Sequence, residues 1–136
     1  MANSLKLEIV TPEGTIYSDD VEMVTLPGIV GQMGIYPQHT PLITQMVPGE
    51  LIVRKDGRDL FIATGEGLIE VTASRVDVLT DLAVAADRID EAKAEEARRR
   101  AEARLHEKLS AEEVAAVNAS LARALAQLRV KRRQRR

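Results

Sequence analysis

Cysteine and tryptophan are absent from this 136-residue chain, and its aromatic residues amount to one Phe and two Tyr. Without cysteine there are no disulfides and no thiolate metal sites, so packing alone must hold the fold. With so few rings on which bases could stack, the 19 Lys and Arg do not point to nucleic acid as a partner. Histidine occurs only at His39 and His106, far apart in sequence and too few for an imidazole metal centre. No apolar run approaches the roughly 20 residues that span a bilayer, and the first residues lack the apolar core of a signal peptide. The expectation is a soluble, cytosolic chain with no metal.

Charge divides the sequence. Residues 1–84 hold 12 Asp and Glu against 5 Lys and Arg, a net of −7; residues 85–136 hold 9 against 14, a net of +5, which together give the overall −2. An acidic half joined to a basic half suggests protein partners. The length allows one domain or two small ones.

The first half reads as strands. Leu5-Lys6-Leu7-Glu8-Ile9-Val10 alternates apolar and polar residues, the period of a half-buried strand, and Thr11-Pro12-Glu13-Gly14 supplies a turn. Strand-like runs follow at 15–17, 21–26, 42–47, 50–55, 60–64, 68–72 and 75–79. They are separated by Pro48-Gly49, Asp56-Gly57, Gly65-Glu66-Gly67 and Ala73-Ser74. Asp56-Gly57 tolerates positive φ and fits a two-residue hairpin. Many short strands with frequent turns predict an all-β sandwich or flattened barrel. Residues 81–86 read as a linker, which places a boundary near Val84 and divides the chain into 1–84 and 85–136, an α+β arrangement.

Two features of the first half invite a chemical reading. Gly28-Ile29-Val30-Gly31-Gln32-Met33-Gly34 is glycine-rich, yet no Lys-Ser or Lys-Thr follows and no helix pattern opens, so a bent hairpin or loop accounts for it better than a phosphate loop. His39 sits between Pro37 and Pro41; a catalytic histidine needs an orienting carboxylate and a nucleophile, neither of which the local sequence supplies. No catalytic residue is expected.

The second half reads as two helices. Asp90 is placed to cap a helix through Glu91-Ala92-Lys93-Ala94. The residues to Leu105 are strong helix formers with Ala94, Ala97, Ala101 and Leu105 on one face, and Glu95–Arg99 and Glu96–Arg100 are spaced as ion pairs on a solvated face. Ser110-Ala111-Glu112-Glu113 has the form of a capping box, so a second helix starts at Ala111. In it Val114, Val117, Leu121, Ala124 and Leu128 make a seam at three- and four-residue spacing. Two helices of about 17 residues, each about 25 Å long at 1.5 Å per residue, pair as an antiparallel hairpin. The seam is mostly methyl groups, worth roughly 0.8 kcal/mol for each buried methylene, against about 1–2 kcal/mol to order each residue. A hairpin poised to open and one that stays closed both fit these residues. A basic tail follows, with Arg129, Lys131, Arg132, Arg133, Arg135 and Arg136.

The run Gly31-Gln32-Met33-Gly34-Ile35-Tyr36-Pro37-Gln38-His39-Thr40-Pro41-Leu42-Ile43 resembles the G-E-L-G-I-Y-P-G-H-A-P-L-L signature of the epsilon subunits of bacterial F-type ATP synthases. Pro48-Gly49, residues 68–71, Val76-Asp77-Val78-Leu79, Ile89-Asp90-Glu91-Ala92-Lys93-Ala94 and residues 124–130 extend the likeness over nearly the whole chain, in order. The resemblance implies a non-catalytic central-stalk subunit with no required cofactor. Its β-sandwich would bind the gamma subunit and rest on the c ring through Gly31, Gln32, Met33, Tyr36 and His39. Its helical hairpin would extend along gamma and inhibit ATP hydrolysis, with Arg129, Lys131, Arg132 and Arg133 reaching the beta, and alpha, subunits of the catalytic head. It also implies a peripheral place on the cytoplasmic face of the bacterial plasma membrane, held there through the complex.

Three departures bear on these roles. Gln32 replaces a usual acidic residue facing the c ring, and Glu66 interrupts a usual Gly-Gly pair. Some relatives bind regulatory ATP through an I/L-D-x-x-R-A motif, for which this chain has Ile89, Asp90, Lys93 and Ala94, with Arg100 and Arg123 as further cations; Lys93 stands in place of the motif's Arg and lacks its planar two-point contact. The competing reading is a stand-alone β-sandwich adaptor that dimerises through its hairpin. A small β-sandwich enzyme using His39 is the third.

Overall fold

A computed structural model describes residues 4–134. Ten strands come first: β1 Leu5–Thr11, β2 Gly14–Val21, β3 Met23–Gly28, β4 Gly31–Ile35, β5 Leu42–Met46, β6 Gly49–Lys55, β7 Arg58–Thr64, β8 Gly67–Val71, β9 Arg75–Thr80 and β10 Ala83–Ala85. A 3-10 turn at Ala86–Arg88 leads to helices α1 Glu91–Arg104 and α2 Ala111–Gln134. The strands run in the order β10-β7-β6-β3-β5-β8-β9-β1-β2, with β4 paired to β3 alone. All strand pairs are antiparallel except β1 with β9.

Alternation builds the core. Leu5, Leu7 and Ile9 of β1 point inward, and they meet Val24, Leu26, Leu51, Val53, Ile62, Ile69, Val71, Val76 and Val78 from strands all along the sheet. The sheet therefore folds over one apolar interior, with β10, β7, β6 and β3 in one layer and β5, β8, β9, β1 and β2 in the other. The hairpin between β6 and β7 turns at Asp56 (φ 54°) and Gly57 (φ 73°), as the Asp-Gly pair predicts.

Some expectations change, and the expected bent hairpin at 28–34 holds. The run 21–26 is broken at Glu22, between β2 and β3, where the Glu22 amide donates to the Arg54 carbonyl and its carboxylate accepts from the Gly57 amide. Residues 83–85, expected as linker, instead form β10 and pair with β7 through Ala83↔Thr64 and Ala85↔Ile62, because Ala-Val-Ala is short and apolar enough to cover that edge. The glycine-rich run is a hairpin: β3 and β4 pair from Val24↔Ile35 to Gly28↔Gly31, leaving Ile29 and Val30 as its two-residue tip. Gly31 there takes φ 136°, which a side chain would resist. Glu66 does not disturb its turn: its side chain is exposed, and its carbonyl accepts from Thr80 Oγ1 at 2.7 Å. Both glycines beside Glu66 are closely approached: a Cβ at Gly67 would run into the Leu79 carbonyl, and one at Gly65 into the Asp81 carboxylate.

The helices are unequal, 14 and 24 residues rather than two of similar length. Both caps form as expected. Asp90 Oδ1 accepts from the Lys93 amide at 3.1 Å, and Ser110 and Glu113 satisfy each other's backbone amides at 3.1 and 3.2 Å. The basic tail is not a tail as far as Gln134. Arg129, Lys131, Arg132 and Arg133 are the last turns of α2, where cations suit the helix C-terminus and Val130 is fully buried. Arg135 and Arg136 lie outside the described residues. Among the described residues Glu96 and Arg100 make no ion pair; Glu95 and Arg99 pair as expected, and Arg98 bridges Glu95 and Glu102 over two turns.

Candidate functional site

The hairpin arm docks through its C-terminal half. Ala94 and Ala101 of α1 face Val117, Ala124 and Leu128 of α2, all buried, so the seam is largely the expected one; Leu105 at the far end is exposed. Beyond the seam, α2 lies on the outer face of β6 and β7. There Val130 joins Ala63, Ala86 and Ile89 in a small buried cluster flanked by Phe61 and Val84. Charge surrounds that cluster. Lys131 Nζ donates to the Ala86 carbonyl at 3.1 Å, Arg132 meets Glu91 at 3.5 Å and Glu95 at 3.2 Å, and Arg123 meets Asp81 at 3.3 Å. The Arg133 guanidinium sits 5.5 Å from the centre of the Phe61 ring. Its Nε lies 2.9 Å from Glu50 Oε2, but the N–H is aimed off the oxygen, so the contact is one of charge and not an aligned hydrogen bond.

Of the four basic residues assigned to inhibition, Lys131 and Arg133 are therefore occupied in holding the arm down and Arg132 ties α2 to α1, whereas Arg129 is exposed beside Leu125. The hydrogen bond from Arg98 holds the Glu95 carboxyl below its ordinary value.

The residues assigned to the gamma and c-ring contact divide between the two ends of β4: Gly31 and Gln32 lie beside the β3–β4 tip, whereas Tyr36 and His39 follow Ile35 at the far end, where the Gln38 amide donates to the Ala73 carbonyl. Gly31 and Gln32 are exposed at the base of the β3–β4 tip, Met33 is half-buried, and Tyr36 is 60% exposed. The His39 ring donates from Nδ1 to the Thr40 carbonyl at 2.6 Å, a local turn contact. The more prominent feature at the Gly31 end is the tip itself: Ile29 is 56% exposed and Val30 93%. Sequence reasoning read this pair as part of a glycine-rich bent hairpin or loop, without singling it out. The missed signal is a β-branched pair in a two-residue turn, a place where polar residues and glycine are the rule.

A second apolar surface lies on the layer away from the arm. Leu68 of β8 pairs in register with Leu79 of β9, which pairs with Val10 of β1, so these side chains form a row across three strands. Ile43 of β5 joins the same face; Ile43, Leu68 and Leu79 are all exposed. Exposed apolar groups set side by side in this way mark contact with another protein. No single residue in the sequence signals the row, because it depends on strand order.

The positions matched to a nucleotide motif are partly spent. Asp90 caps α1, Ile89 and Ala94 are buried in packing, and Lys93 is exposed on α1. Arg100 borders a groove of about 360 Å³ between the helices, and Arg123 borders an adjoining hollow; the two share Ala97 and Ser120. Among the described residues no three His, Asp or Glu side chains group as metal ligands. No helix of the described residues is long and apolar enough to cross a membrane.

A β-sandwich carrying a two-helix arm, with an apolar tip and an uncovered apolar row, has the design of a docking subunit. The chain belongs to the ATP synthase delta/epsilon family: the model for the family's beta-sandwich domain matches residues 4–86, and that for its long alpha-helix domain matches residues 87–132. It is 40% identical over 129 residues to the ATP synthase epsilon chain of Laribacter hongkongensis, covering 93% of this chain and 92% of that one. It is 42% identical over 126 residues to that of Herpetosiphon aurantiacus, covering 93% of each. Its fold is similar to a chain in the Euglena gracilis mitochondrial ATP synthase, with a TM-score of 0.77 at 24% identity over 88% of this chain and 76% of that one. It is an epsilon-type subunit and not a catalytic one.

Proposed function

We propose that the sandwich couples the gamma subunit to the c ring of a membrane-bound ATP synthase, and that the arm brakes ATP hydrolysis by leaving the sandwich and extending toward the catalytic head. In this reading the Ile29-Val30 tip, with Gly31, Gln32 and Met33 beside it, faces the ring, and Tyr36 and His39, beyond the other end of β4, belong to the gamma contact. The Ile43, Leu68 and Leu79 surface faces gamma. The protein is then peripheral, at the cytoplasmic face of the bacterial membrane. The observation that carries the reading is that both apolar surfaces belong to the sandwich and stay uncovered while the arm is docked, so that body can remain in the assembly as the arm moves.

Removing residues from Asp87 onward tests it. The sandwich should still co-purify with gamma, and hydrolysis by the catalytic head should rise; hydrolysis that stays the same refutes the brake. Leu79→Asp should break co-purification with gamma by placing a charge in the apolar row. As a regulatory ligand, ATP fits the adjoining hollows between Arg100 and Arg123, with Arg123 first released from Asp81. ATP should then raise the melting temperature of the isolated chain, and more so in Asp81→Asn. No rise in either at millimolar ATP removes that ligand.

A further inference from the structure

We propose that Glu50 and Arg133 form a charge latch that gates release of the arm, with Glu50 as the receptor on the sandwich. Glu50 is the one charged residue buried among those described, and its side chain is only 6% exposed. It stands on the outer face of β6, opposite Ala63, which the arm covers. A carboxylate on the outer face of a strand is ordinarily hydrated, so here docking of α2 is what takes its water away.

That loss is costly, and the cation that compensates it is Arg133, 2.9 Å away. Arg133 is itself about half exposed and keeps part of its water, with the Phe61 ring beneath it. The pair is therefore lopsided: without Arg133 the docked arm strands a buried charge, whereas without the Glu50 charge the docked arm leaves a cation that water still reaches. Any acidic surface that claims Arg133 makes re-docking unfavourable, so docking and engagement elsewhere exclude each other. This last consequence rests on the brake reading; the latch does not.

The absence of cysteine gives a clean test. In the full chain, Ala63→Cys places one thiol under the docked arm, and its rate of labelling reports how often the arm lifts. In that background Arg133→Ala should raise the rate about tenfold or more, a change of about 1.4 kcal/mol. Glu50→Gln should raise it less, and the double variant should label more slowly than Arg133→Ala alone. Arg133→Ala labelling no faster than the parent overturns the latch, as does a double variant labelling as fast as Arg133→Ala or faster. Glu50→Gln in the assembled enzyme then separates the two ideas. Lower hydrolysis agrees with both, whereas faster labelling with unchanged hydrolysis leaves the latch standing and sinks the brake.

Discussion

The sandwich and the arm are held by different physics. Inside the sandwich, large branched side chains from strands distant in sequence are buried almost completely, Leu5, Leu7, Ile9, Leu26 and Leu51 among them. Under the arm the buried cluster is two alanines, one isoleucine and one valine, and the ion pairs beside it that reach the sandwich side are Arg123–Asp81 and Arg133–Glu50, each with a partly exposed cation. Area buried by methyl groups is small, and exposed ion pairs are weak individually and weakened further by salt. The difference teaches where motion is cheap. The arm can leave while the body keeps its core, because almost none of that core is shared.

Two substitutions test the comparison, and the larger effect belongs to the body. Leu7→Ala leaves a cavity in the sandwich and should cost about 2–5 kcal/mol of global stability, read as a fall in the denaturant midpoint of the sheet. Val130→Ala removes two methyl equivalents from the docking cluster and should cost about 1–2 kcal/mol, read as loss of protection under the arm with the sheet midpoint little changed. If Val130→Ala lowers the sheet midpoint as much as Leu7→Ala does, arm and body are one cooperative unit and the arm does not move independently.

Most of the fold was legible because it follows local patterns. The period-two alternation of Leu5–Val10, the Asp56-Gly57 turn, the Asp90 cap and the Ser110–Glu113 capping box are each written in a few adjacent residues, and each took its expected form. What escaped were features that depend on distant partners. Ala83–Ala85 carries too little pattern to read as a strand and becomes one only beside β7. The Leu68–Leu79–Val10 row exists only through the order β8-β9-β1. The basic residues of α2 read as a free tail because nothing near them in sequence announces Glu50, Phe61 or the Ala86 carbonyl as partners. Gln38 is a smaller case of the same kind: it takes φ 70° where the family signature has glycine, a conformation set by its amide donating to the Ala73 carbonyl across the chain.

The smallest effect expected is that of pH, and it discriminates by region. Glu95 on α1 has its carboxyl held below the ordinary value, first by the hydrogen bond from Arg98 and further by the charges of Arg98, Arg99 and Arg132; Arg132 belongs to α2. A carboxyl lowered in the folded state contributes stability that is fully present above its ordinary value of 4.5 and is lost as pH falls through the lowered one. Acidification from neutral should therefore loosen α1 from the end of α2. Asp19 is lowered in the same direction by Lys55, but that pair joins β2 to β6 over the intact apolar core, so the sheet should hold. Amide exchange measured down this pH range should quicken in residues 91–104 before it quickens in β1, β8 or β9. Raising salt at neutral pH should give the same order through screening, with no carboxyl protonated. Acid loosening the arm while salt leaves it unchanged would place the hold in hydrogen bonds to carboxylates, and not in the charges that surround the docking cluster.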